Sequence, residues 1–147
     1  METDKIRDML NEYLKDIFYR ILDIQAKQVS KASGKRLSRT EMHSIEIIQD
    51  VEDAILTDVA DKMRISKATA SVSIDRLVKK GFVSKNISTK DKRKYTLNLT
   101  PVGEETYLQH KQFHDNMVNA LLKDFEIADY PELLKGLKNL AGFFNSY

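Results

Sequence analysis

The residues best equipped for chemistry in this sequence are cations, and they are clustered. Between Lys62 and Tyr95 the chain holds eleven Lys and Arg against two carboxylates, Asp75 and Asp91, a local charge of +9. The formal net charge of the whole is +2, so the residues outside this stretch sum to −7. A basic block set in an otherwise acidic protein points to a surface that meets a polyanion. Inside the block, "SKATAS" (66–71) gathers three hydroxyls, one ammonium and two alanines. Further on, "STKDKRKYTLNLTPVG" (88–103) carries five consecutive charged residues, 90–94, followed by polar/apolar alternation and then Pro and Gly. A charge run alone is usually a solvated loop. Its neighbours decide whether it grips something.

Other chemistries find less material. His110 and His114 are four apart, which puts them on one helix face, and His43 lies near the start of another helical segment. Three imidazoles could form the start of a zinc site. A structural zinc site takes four ligands, however, and no Cys or neighbouring carboxylate completes this one, so partly buried histidines at a helix junction are the plainer reading and no metal is assigned. Zero Cys also excludes disulfides and thiol-based redox sensing. There is no Gly-rich phosphate loop, no His-Glu-x-x-His and no nucleophile with a placed base, so neither an enzyme nor a cofactor is expected.

The elements that would position the cations emerge from spacing. Apolar residues at Ile6, Leu10, Tyr13, Leu14, Ile17, Phe18, Ile21 and Leu22 predict a first helix with a wide stripe, fading towards Val29. "SKASGKRLSRT" (30–40) interrupts it with Gly34 and four cations, Lys31, Lys35, Arg36 and Arg39. Ser38 or Thr40 caps a second helix over Met42, Ile45, Ile48 and Val51; Ile55 is extended; Thr57 caps a short third helix. Ser66 caps a fourth helix that stops at Gly81. Next come two strands, 82–87 and 95–99, then a long helix opened by Thr100 and Pro101 and a last one after Pro131. Two short helices about three residues apart match helix-turn-helix spacing, and the charged run becomes the tip of the hairpin behind them. The expected fold is mainly α with a small β-wing: a winged helix-turn-helix flanked by long terminal helices. One domain spans 1–147, with the winged-helix part at about 38–100 and dimerisation helices at about 4–33 and 101–147. No apolar run is long enough for a bilayer and "METDKIRD" is no signal peptide, so a cytoplasmic protein without a membrane partner is expected.

This plan suits double-stranded DNA. A helix entering the major groove needs small side chains near its N-terminus, and Ser66, Lys67, Ala68, Thr69 and Ser71 supply them. Ala70, Ile74 and Leu77 form the buried stripe, which turns Lys67, Ala68, Ser71, Val72 and Asp75 outward, and Arg76 is a further DNA-contact candidate. On the wing, Arg93 can reach a narrow minor groove, Asp91 can orient the tip, and Lys90, Lys92 and Lys94 can meet phosphates. The broad apolar stripes of the first and last helices predict a homodimer, which suits a pseudo-palindromic operator.

The segment "LTDVADKMRISKATASVSIDRLVKKGFVSKNISTKDKRKYTLNLTPVG" resembles the winged-helix core of the MarR family of bacterial transcription regulators. The matching features are the Leu-Thr opening, "IDRLVKKGFV", the Asp91-x-Arg93 wing and the Leu-x-Leu-Thr-x-x-Gly exit, and the long helices on both sides extend the likeness to the whole chain. The resemblance implies a dimeric, sequence-specific repressor. The chain departs from many members at Val72 and Ser73, where a basic and an aliphatic residue are common. "LNEYLKDIF", "RTEMHSIEII" and "HKQFHDNMV" are similar to the FabT-type branch, repressors of fatty-acid synthesis genes. That likeness implies a long-chain acyl group on acyl carrier protein as co-repressor, with Phe18, Met42, His43 and Phe113 as ligand-site candidates and the four cations of 30–40 as a dock for the acidic carrier. A zinc-sensing branch of the same family implies the alternative, a zinc-responsive repressor using His43, His110 and His114; a regulator of another small apolar ligand is a third.

Overall fold

The structure is a computed structural model describing residues 1–147. Its elements are α1 (Glu2–Ala26), α2 (Arg39–Asp50), α3 (Leu56–Met63), α4 (Lys67–Lys80), β1 (Val83–Ile87), β2 (Tyr95–Leu99), α5 (Pro101–Leu121), a 3-10 turn (Ile127–Asp129) and α6 (Pro131–Asn145). By backbone contacts the chain divides into two units, Met1–Leu108 and Gln109–Tyr147. No helix is long and apolar enough to cross a membrane.

In the first unit, α2, α3, α4 and the hairpin enclose one core. Phe82, Met42, Ile45, Ile74, Leu77 and Val59 are its largest fully buried side chains. The helix boundaries are set by local chemistry. Ser38 caps α2, its Oγ accepting from Glu41 N at 3.1 Å while the Glu41 carboxylate accepts from Ser38 N at 3.0 Å. This reciprocal capping box satisfies two backbone donors that the first turn leaves open. Ser66 caps α4 by accepting from Thr69 N at 3.1 Å, and Gly81 ends it at φ +88°, where a side chain would be strained.

One expected cap is displaced. Thr57 does not start α3: Ile55, extended at φ −117°, is the cap residue, and Asp58 Oδ2 accepts from Ile55 N at 2.9 Å. The carboxylate reaches back from three residues further along, whereas a threonine hydroxyl at 57 lies inside the first turn. Ala54, just before, accepts from Leu97 N at 2.7 Å, which ties the α2–α3 connection to the hairpin. The hairpin is antiparallel, with Val83 opposite Leu99 and Ile87 opposite Tyr95. Leu97 is buried, whereas Tyr95, next to the 88–94 turn, is exposed.

α1 buries none of its residues; every member of its apolar stripe from Ile6 to Leu22 is exposed in this chain. In the second unit the 3-10 turn packs on α6, which also buries nothing, and Leu134, Leu137, Phe143 and Phe144 stand open.

Candidate nucleic-acid interface

The cap on Ser66 and the core contact of Ala70, Ile74 and Leu77 fix the rotation of α4. Lys67, Ala68, Thr69, Val72, Asp75 and Arg76 are exposed as a result, and Ser71 is half-buried. Two of these groups are already engaged. The Ser66 hydroxyl, besides capping, donates to Thr69 Oγ1 at 2.9 Å. Asp75 Oδ1 holds Lys85 Nζ at 2.6 Å, joining α4 to β1. Lys85 is not among the residues that the sequence singles out. Along β1 it shares the face of buried Val83 and lies opposite buried Leu97, so alternation assigns position 85 to the core side and gives no signal for a cation that reaches α4.

The wing tip is braced by Asp91. Its Oδ1 accepts from Arg93 N at 3.0 Å and from Arg93 Nε at 3.2 Å, and its Oδ2 from Arg93 Nη2 at 3.4 Å. Ser88 Oγ accepts from the backbone N–H groups of Lys90 and Asp91, so the tip is a built turn. The Arg93 side chain and then its backbone N–H hold the Asp91 carboxyl below its ordinary value of 3.8. A carboxylate with a depressed folded-state pKa lends order above its unfolded value and loses it as pH falls through the folded one. The brace is therefore complete at neutral pH and fails only in acid, below 3.8. Arg93 remains almost fully exposed while braced, and a guanidinium has five N–H donors, enough for an acceptor in a groove as well.

Between α3, α4 and the hairpin lies a cleft of about 250 Å³ lined in part by Thr57, Ser71, Lys85, Arg93, Lys94 and Tyr95. Hydroxyls and cations converge there from three elements. Under the wing, Lys90 Nζ stands 3.9 Å from Asp53 Oδ2, an exposed pair of little energetic weight.

Residues 37–95 match the model of the MarR family. A solved structure of Streptococcus pneumoniae FabT in complex with DNA superimposes with a TM-score of 0.78 at 29% identity, covering 95% of this chain and 98% of that one. Over residues 37–95, and in its fold, the chain is similar to the MarR family. Among its relatives, the uncharacterized HTH-type transcriptional regulator YhjH of Bacillus subtilis is 26% identical, over 90% of this chain and 73% of its own length. The HTH-type transcriptional repressor YetL of the same organism is 27% identical, over 85% and 78%. The adhesin competence repressor AdcR of Streptococcus pyogenes, at 24% identity and TM-score 0.67, shares the fold. These likenesses support a MarR-type DNA-binding transcriptional regulator with a winged helix.

The ligand-site candidates have separate fates. Met42 is 1% exposed and belongs to the winged-helix core. His43 and Phe18 are exposed on α2 and α1, and Phe113 is exposed on α5. His110 and His114 share a face of α5, their Nε2 atoms 3.0 Å apart in a hydrogen bond. Of the four cations in 30–40, two have internal work. Lys35 Nζ donates to the carbonyl of Lys80 at 2.9 Å, and the Arg36 guanidinium donates to the carbonyl of Ala26.

Proposed function

We propose that this regulator is a homodimeric repressor of fatty-acid synthesis genes, with a long-chain acyl group on acyl carrier protein as its co-repressor. The observation that carries the dimer is α1, a 25-residue helix with a continuous apolar stripe and no buried residue. Apolar surface of that extent marks a partner surface, and a two-fold copy offers the same stripe in return. Two α4 helices about one DNA turn, roughly 34 Å, apart then read a pseudo-palindrome. A monomer by light scattering at micromolar concentration contradicts this reading.

The acyl reading rests on the resemblance to the FabT-type branch and on 29% identity to FabT itself. An acidic carrier needs a basic dock. Lys31 and Arg39 are its better candidates, because Lys35 and Arg36 serve the chain's own carbonyls. Operator affinity is measured without effector, with unacylated carrier, with long-chain acyl carrier protein, and with zinc. A rise with the acylated carrier alone, reduced by Lys31→Glu with Arg39→Glu, is the expected result. The His110–His114 pair favours zinc as the second reading, since two imidazole nitrogens supply half of a four-ligand site. A response to zinc and none to the acylated carrier selects it.

On the wing, Arg93→Ala is expected to lose about 1–3 kcal/mol of operator affinity. Lys90→Ala and Lys92→Ala should weaken all duplexes alike and flatten the salt slope by about one unit per phosphate contact. Titration at several salt concentrations separates the two kinds of loss. Unchanged affinity in Arg93→Ala removes the wing from the interface.

A further inference from the structure

We propose that Val72 reads the C5-methyl group of thymine and so fixes one T in each half of the operator. The inference rests on α4 being the helix that enters the major groove. Val72 is 51% exposed, and it is not among the residues packed in or against the core. Valine is also a poor helix former, because its branched side chain loses rotamer freedom against the preceding turn. Neither burial nor local propensity accounts for it. Its helical neighbours on the same row are Ala68, four residues before, and Arg76, four after, both exposed. Ala68 keeps the surface low, so the valine methyls stand proud of a shallow step. Asp75, the one acidic group on this face, is drawn to Lys85 at 2.6 Å.

The floor of the major groove is a pattern of donors and acceptors with one apolar group, the thymine methyl. A half-exposed valine pressed against any other edge would strip water from polar atoms and give nothing back, which is unfavourable. Against the thymine methyl it buries apolar surface on both sides. The specificity is therefore for T, set by a contact that adds no hydrogen bond.

The purified full-length protein is used to select binding duplexes from a random pool, and each T of the selected site is replaced in turn by deoxyuridine, which lacks only the methyl. One T per half-site should lose about fourfold in affinity, the factor equivalent to about 0.8 kcal/mol for a methyl-sized group. In Val72→Ala, a surface change that leaves the core intact, T and U at that position should bind equally. If no substitution to U matters to the native protein, or if the sensitive T stays sensitive in Val72→Ala, the proposal is wrong while α4 remains a reader of DNA. A pool that yields no enriched sequence overturns both.

Discussion

Gly103→Ala should destabilise the first unit by about 3 kcal/mol, although it places the best helix former in the first turn of a helix. In an open helix that change is favourable by up to about 1 kcal/mol. Here an added Cβ would land on the carbonyl oxygen of Phe82, and would stand 3.1 Å from the carbonyl carbon and 3.3 Å from Leu99 Cβ. The obstacle is backbone and has no rotamer to adopt. The Phe82 carbonyl accepts from Thr100 N at 3.0 Å, and the Phe82 ring is fully buried in the core. Thr100 is held on its other side as well, its hydroxyl donating to the Gly81 carbonyl at 2.6 Å and accepting from Gly103 N at 3.1 Å. Relief must come from moving the start of α5 away from the hairpin, and forced repacking against a rigid neighbour costs about 1–3 kcal/mol or more. The clash outweighs the propensity. Urea denaturation followed by circular dichroism should show a lower midpoint at an unchanged slope. An unchanged midpoint would mean that α5 can pivot freely on Thr100.

Much of this is visible in the sequence, and the parts it hides have a common cause. Ser66 and Gly81 bracket α4 correctly because capping is decided within four residues of the end it caps. The alternation of 95–99 and the two-residue spacing of Asp91 and Arg93 likewise carry their own geometry, and the structure shows both. Gly103 reads in the sequence only as part of a family-like exit, because its necessity comes from Phe82, 21 positions earlier. The buried hydroxyl pair Ser30 and Thr106, 2.8 Å apart, is invisible there for the same reason. It ties the α1–α2 connection to α5 across 76 positions, and neither residue type announces a partner. The cations of 30–40 look like one dock, yet Lys35 and Arg36 each have a carbonyl of their own. Ser38 and Thr40 are rival caps in the sequence. Glu41, three residues after Ser38, is the available signal for choosing Ser38, since Ser-x-x-Glu is the pattern of a capping box.

That same Glu41 gives the second large expectation. Lys80→Ala should destabilise the protein by about 3 kcal/mol, the low end of the cost of removing one partner from a buried ion pair. The Glu41 side chain is 3% exposed, and Lys80 Nζ meets its two oxygens at 2.7 and 3.0 Å. Lys80 is 32% exposed at its side chain, so water can partly replace it, which holds the loss to the lower end. The ammonium also donates to the Arg36 carbonyl at 2.8 Å, and the Lys80 carbonyl accepts from Lys35. One residue at the C-terminal end of α4 thus holds both the cap of α2 and the connection leading from α1. The loss should therefore reach DNA binding as well as stability, since the α4 terminus would no longer be fixed against α2. The double variant Lys80→Met with Glu41→Gln separates charge from geometry. Glutamine can still accept from Ser38 N and keep the capping box, and methionine fills the stem's volume without leaving a charge unpaired. Recovery of more than half the lost stability is expected in denaturant titration. Losses that simply add would instead assign the work of Lys80 to its bond with the Arg36 carbonyl.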